Sequence, residues 1–333
     1  MSAQKLNTLI DAWVANPGDD TKKALVAFMD TEEYTNLDYN TRNERFITSS
    51  KIKLLEVCEL FARYKYEDRI DTGLDVSEAL TIGSALDCLK TYGEEAYRDK
   101  YAVMDNRVSD IDAAISEAEA KREEGLNDVK KDGTLSARGA KTVASADAKI
   151  SFLKSVIGKT QLTAGQGDLI RQMAKECELH PLFPKKFKKR NVLWLAFGKY
   201  PCKAELDHFD PERGIVDLKT CANIESFRAM NYLLQMAFYY NGLLEEDMMK
   251  YHAELCVVDK HTWSRSHVWR FLPATLDAAQ GTVNRLIMRY AECRETGIWR
   301  NPDPDTQEGL ELLWQSEFWP HCPLSRTSKP TEL

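Results

Sequence analysis

Apolar positions recur at helical spacing through the first half of this 333-residue chain and give way to short alternating runs in the second. LNTLIDAWV and KKALVAFM, within residues 1–45, predict two short helices, followed by a loop through TEEYTNLDYNTRNE. SSKIKLLEVCELFARYKY predicts a helix with serine at its N-cap, and a second helix is expected to begin near Val76 and carry ALTIGSALDCLKTYG. Residues 109–160 change character: SDIDAAISEAEAKREEGLNDVKKDG is highly charged and TLSARGAKTVASADAK is rich in small residues. With little apolar surface to bury, this segment reads as a surface helix and a mobile connection. Helical spacing returns in KISFLKSVIG and GDLIRQMAKECELHPLF.

From Asn191 the period shifts. VLWLAF, KAELDHF and GIVDLKT are short runs separated by KYP and DPERG, which predicts three strands in an antiparallel meander. SFRAMNYLLQMAFYYNGLL follows as a long helix, then strands AELCVVD and SHVWRF, then a helix through TLDAAQGTVNRLIMRYAEC. The order βββαβ with flanking helices places the chain in the α+β or mixed α/β class: a central mixed sheet, containing the meander, covered by helices. The expected division is a helical extension over 1–45, a main domain over 46–320 interrupted by the charged surface insertion 109–160, and a tail over 321–333.

Composition narrows the function classes. No apolar run approaches the roughly eighteen residues that cross a bilayer, and the N-terminus lacks a basic segment before an apolar core, so the chain reads as cytosolic with no membrane partner. Eight cysteines form no C-x-x-C pair, and six histidines show no H-x-x-x-H spacing, which argues against a zinc ribbon or a zinc hydrolase. No Walker A loop and no G-x-S-x-G elbow are present. Tryptophans 194, 263, 269, 299, 314 and 319 gather in the second half and read mostly as core, with one or two suited to stacking on an unpaired base. The net charge of −7 argues against a wholly basic surface. Local basic patches still suffice for phosphate contacts. One such patch is the segment 185–203, which has seven basic residues and no acidic one.

The chemistry concentrates in KAELDHFDPERGIVDLKT. Asp217 and Lys219 are two residues apart on one strand and so share a face, and Asp207 lies ten residues earlier on the preceding strand. Two carboxylates hold Mg²⁺ through hard oxygen ligands, and the metal activates water and stabilises charge in phosphodiester hydrolysis. A neighbouring lysine positions the water or neutralises developing charge; with its pKa depressed by burial it could instead take a proton. A carboxylate in the apolar run of Ile215, Val216 and Leu218 calls for a partner. Gln235, in the otherwise apolar YLLQMAFYY, shares a helix face with Tyr239 and could face the same site.

Together these residues resemble the PD-(D/E)xK nuclease superfamily and, more closely, phage and prophage exonucleases of the RecE type. The likeness covers roughly residues 46–300, through FITSSKIKLLEVCELFARYKY, IGSALDCLKTYGEEAYRDKYAV, LTAGQGDLIRQMAKECELHP and RYAECRETGIW. The resemblance implies a restriction-endonuclease-like core. It implies catalytic roles for Asp207, Asp217, Lys219 and Gln235, and metal ligation by Asp207, Asp217, the Leu218 carbonyl and Asp87. The ion would be Mg²⁺, with Mn²⁺ able to substitute. Lys185, Lys186, Lys188, Lys189, Arg190 and Tyr239 are the candidate DNA contacts. The implied activity is 5′ to 3′ degradation of one strand of linear duplex DNA in a bacterial host cell, by a ring-shaped homo-oligomer that serves a single-strand annealing protein of the RecT kind. Two positions depart from the family: Asp87 stands where it usually has histidine, and Asn191 where it often has glutamate. They keep open a second reading, a nuclease fold serving as a DNA-binding or protein-interaction module. A third is an endonuclease or single-strand-specific nuclease.

Overall fold

The computed structural model describes residues 2–69, 78–131, 133–247, 250–261 and 264–300. The expected helix start near Val76, Trp263, Trp314, Trp319, Cys322 and the tail 321–333 lie outside the described residues.

Helices α1 (Ser2–Ala15) and α2 (Asp19–Met29) form as their spacing predicts, burying Leu6, Ile10 and Trp13 against Leu25, Phe28 and Met29. The expected loop after them is instead two short helices, α3 (Glu32–Thr35) and α4 (Tyr39–Asn43). Thr31 and Asp38 cap them by accepting the Tyr34 and Thr41 N–H groups. The next predicted helix is two, α5 (Ser49–Val57) and α6 (Glu59–Tyr66), because the chain turns extended at Cys58, whose Sγ caps α6. The N-cap of α5 is Thr48, and the serines lie inside the helix.

Helix α7 (Glu78–Lys100) runs into strand β1 (Tyr101–Met104), which pairs in parallel with β2 (Thr160–Thr163). Between those strands the stretch expected as a mobile connection is helical. α8 (Ile111–Asn127) and α9 (Ala137–Val156) pack as a hairpin. Their contact needs few large side chains because the backbones approach closely: a Cβ on Gly139 would lie 2.6 Å from the Gly125 carbonyl oxygen. α10 (Ala164–Leu179) follows, opened by a Thr163–Gln166 capping box.

The predicted meander is present but broken. β3 (Arg190–Ala196) pairs antiparallel with β4 (Tyr200–Leu206), and β5 (His208–Asp210) with β6 (Gly214–Cys221). The bend at Asp207 divides the second strand and puts the hairpins in separate ladders. β6 then pairs in parallel with β7 (Ala253–Asp259), after a crossover through α11 (Leu233–Asp247), and β7 pairs antiparallel with β8 (Ser266–Phe271). α12 (Pro273–Thr296) ends at Gly297 in the left-handed conformation.

Strand alternation sorts the core into two layers. Ile215, Leu255 and Val257 pack with residues of α5, α6, α11 and α12. Val216, Leu218, Cys256 and Val258 pack with residues of α7, α10 and β2. The result is the expected mixed sheet between helical layers. The six cysteines 58, 88, 177, 202, 256 and 293 are buried thiols. Among the described residues no helix is long and apolar enough to cross a membrane.

Candidate functional site

The site begins with an uneven strand. On β6, Ile215 donates its N–H to the His252 carbonyl and Cys221 accepts from Lys260 N–H, so odd-numbered peptide groups face β7. Even-numbered groups therefore face the other edge, where pairing with β5 ends at Val216. Beyond that point the edge is open. Asp207, at the bend between β4 and β5, takes the place of a strand there: its Oδ2 accepts the Leu218 N–H at 2.9 Å. The same alternation turns the Leu218 carbonyl to this edge.

Asp217 lies 2% exposed on the face toward α11. Its Oδ1 accepts Gln235 Nε2 at 3.2 Å, and that nitrogen also donates to Tyr239 Oη at 2.9 Å. Its Oδ2 meets Lys219 Nζ at 2.5 Å in an ion pair without hydrogen-bond angles. The Lys219 ammonium also lies 5.5 Å from the centroid of the Tyr232 ring. From the other side, α7 supplies Asp87, whose Oδ1 accepts Thr91 Oγ1 at 3.0 Å and whose Oδ2 meets Lys189 Nζ at 2.9 Å. Asp87, Asp207, Leu218, Lys219, Thr220 and Tyr232 line one cavity of about 400 Å³.

Burial, followed by the charge of Asp217, pushes the Asp207 carboxyl up to about 7. Burial alone would lower Lys219, but Asp217 and then Asp207 outweigh it and hold the ammonium above the usual lysine range. Without a metal ion on these carboxylates, their charge favours the protonated lysine.

These groups fit a hard divalent cation. Asp217 Oδ2 is buried and accepts no hydrogen bond, Asp207 is strained by its neighbour's charge, and a backbone carbonyl faces the same edge. Among the described residues, no three His, Cys, Asp or Glu side chains are close enough to make a complete ligand set. Two carboxylates and a backbone carbonyl are the hard oxygen donors that such a cation takes, and they would make only part of its coordination shell.

Asp87, Asp207, Asp217, Leu218, Lys219 and Gln235 thus come together. The candidate DNA contacts do not. Tyr239 is buried behind Gln235, 7% exposed, and cannot present its ring to DNA. Lys189 turns inward to Asp87 and to Glu205 Oε1, 3.3 Å away. Arg190 pairs with Glu246 at 2.5 Å and lies over Phe209. Lys185 donates to the Glu178 carbonyl. These side chains satisfy internal acceptors, so the basic run is not one free patch; Lys186 and Lys188 remain exposed. Sequence reasoning missed Glu205, although it stands two residues before Asp207. It sits directly opposite Asn191 in the β3–β4 register and faces Lys189.

A family model described as a PDDEXK-like domain of unknown function (DUF3799) matches residues 48–304. A solved structure from Eubacterium rectale, named "Putative exonuclease", superposes with a TM-score of 0.50 at 15% identity. The match covers 91% of this chain and 94% of that one. At that identity the likeness speaks for the fold. No curated protein matches the sequence.

Proposed function

The chain belongs to this PDDEXK-like family, DUF3799, and on that footing we propose that it is a divalent-metal-dependent nuclease acting on DNA. The observation that carries the reading is the convergence of Asp207, Asp217, Lys219 and Gln235 at the open edge of β6. Asp207, Asp217 and the Leu218 carbonyl hold the cation, Mg²⁺ with Mn²⁺ able to substitute. When bound, the cation supplies an acidified water and counters charge on the phosphoryl oxygens. Lys219, kept protonated by its carboxylates, orients that water and stabilises developing charge. Gln235 fixes the rotamer of Asp217, and Tyr239 fixes Gln235.

The RecE-type resemblance supports a finer reading. The enzyme removes one strand of linear duplex DNA from 5′ to 3′ and leaves a 3′ overhang for an annealing protein of the RecT kind, in phage recombination within a bacterial host cytoplasm. A homo-oligomeric ring with a basic lumen accommodates the net charge of −7, because a positive channel can coexist with an acidic exterior. Exposed Lys186 and Lys188 are its DNA contacts on this chain.

End-labelled linear duplex, nicked circular and single-stranded DNA, each with and without Mg²⁺, test the proposal with wild type and Asp217→Ala. Loss of linear duplex alone, dependent on metal and abolished by the substitution, is expected. Cleavage of circles or single strands would replace the exonuclease reading with another nuclease. Binding without cleavage under any metal would leave a DNA-binding module and sink the enzymatic reading.

A further inference from the structure

Trp269 has no role in the metal chemistry proposed above, yet the sheet ties it to the same site. Strand pairing sets Asp217 opposite Leu255 and Leu255 opposite Trp269, and it aligns Lys219, Val257 and His267 in a second row. Residues opposed in a ladder share a face, so Trp269 stands two strand spacings, about 10 Å, from Asp217 across one face. Aromatic rings fill the interval. Tyr232, in the single 3₁₀ turn Ala229–Tyr232, lines the candidate site's cavity and stacks on Phe227 with 5.3 Å between centroids. Phe227 meets Trp269 at 4.8 Å, and Trp269 meets the exposed His267 at 4.3 Å. Half-buried Phe227 and Trp269, with Met230 and Thr275, wall a second cavity of about 390 Å³. That volume is within the range of pockets that take small organic groups.

Positive charge borders the rings. Lys219 and Lys53 lie 5.5 and 5.3 Å from the Tyr232 centroid. Arg228 is exposed, and among the described residues its guanidinium meets only the carbonyls of Glu225 and Phe227, both at 3.4 Å. The neighbouring carboxylates already face cations. Arg265 holds Glu225 and Asp259, Arg270 and Arg213 hold Glu254, and Lys250 holds Asp277. Glu56, which lines an adjoining cavity beside Met230, faces Arg285 and Lys53. Arg228 is the cation these acids leave for a phosphate.

We infer that Tyr232, Phe227 and Trp269 form a stacking platform for unpaired bases of the DNA strand that reacts at Asp217 and Lys219, with Arg228 on its backbone. The inference rests on the nuclease reading of that site, which supplies the strand. Every base has a π face, so such a platform favours DNA that is unpaired beside the cut and imposes no sequence.

Fluorescence anisotropy of the full chain in EDTA tests this, with a short labelled oligothymidylate and an abasic oligomer of equal length. Wild type should bind the oligothymidylate more tightly. Trp269→Ala and Phe227→Ala should each weaken that binding about 5- to 150-fold, the effect of one lost stacking contact, and leave abasic binding unchanged. Trp269→Phe should keep most of the affinity, and Arg228→Ala should weaken both oligomers alike. Equal affinity of wild type for the two oligomers would overturn the inference. So would full oligothymidylate affinity in a Trp269→Ala protein whose circular dichroism matches wild type. If Trp269→Ala fails to fold, unchanged affinity in Arg228→Ala overturns it. Metal-dependent DNA cleavage without base-dependent binding would remove the inference alone. Base-dependent binding that Trp269→Ala abolishes, in a chain that cuts nothing, would uphold the platform and remove the nuclease reading.

Discussion

At the scale of single residues, the proposed metal role makes the proton on Asp207 a competitor for the cation. Its carboxyl titrates at about 7, while metal binding needs the anion. If Asp207 ligates Mg²⁺ as proposed, the ion has to displace this proton below about pH 7, and affinity should fall about tenfold per pH unit through linkage to one proton. Calorimetry in buffers of different ionisation enthalpy reads that proton directly. The sign for stability is opposite to the usual carboxylate. A raised folded pKa means that the metal-free protein loses stability as pH rises from the unfolded value of about 4 toward 7. Urea unfolding in EDTA should show this decline in wild type and its absence in Asp207→Asn. Gln235→Ala should lower metal affinity or turnover by about 10–100-fold, the usual effect of losing a group that orients a ligand. Much of this site was legible in the sequence: a carboxylate in the apolar run of β6 needed partners, and strand parity put Lys219 on its face. Lys189 was not legible, because charge along a segment does not show which acceptors the fold will bring beside each side chain.

At the scale of elements, the α8–α9 hairpin shows what apolar periodicity overlooks. Small residues in TLSARGAKTVASADAK lowered the apparent helical signal, yet they permit the backbone approach that binds the pair. Gly139→Ala places a methyl group 2.6 Å from the Gly125 carbonyl and 2.7 Å from that of Asp128. The helices must separate, at a cost of about 1–3 kcal/mol for overpacking. Hydrogen exchange should accelerate within 111–156 while DNA cleavage stays near wild type; equal acceleration in β6 and β7 would show that the hairpin is part of the central core. Gly214 is a harder constraint. Its φ of +87° opens β6, and an added Cβ would stand 2.2 Å from the His252 carbonyl oxygen. Gly214→Ala should therefore disturb the β6–β7 entry and lower the yield of folded protein. The broken meander has a similar explanation. Alternation predicted the strands, but only the side-chain-to-backbone bond of Asp207 shows why the ladder stops there.

At the scale of the whole molecule, two buried lysines tie the N-terminal helices to the sheet. Only Lys203 does so from a strand, β4, its Nζ donating to Asn43 Oδ1 and Tyr34 Oη, while Lys51 Nζ, from helix α5, donates to the carbonyls of Asn43 and Glu44. Burial lowers Lys51 to about 7 and Lys203 to about 8. Unfolded lysines titrate near 10.4, so between those values the unfolded chain binds more protons and stability rises with pH. Lys51→Met should flatten part of that rise in urea unfolding between pH 7 and 10, a window separate from that of Asp207. The path of the chain has another use. Asp87 precedes the α8–α9 hairpin, whereas Asp207, Asp217 and Lys219 all follow it, and β1 and β2 bring the two lengths together in register. Opening the backbone at Gly133, in the hairpin's turn, would give two fragments that each carry part of the lining of the candidate site. Their reassociation through the paired strands would restore DNA cleavage, making the molecule a split reporter whose signal is its own catalysis.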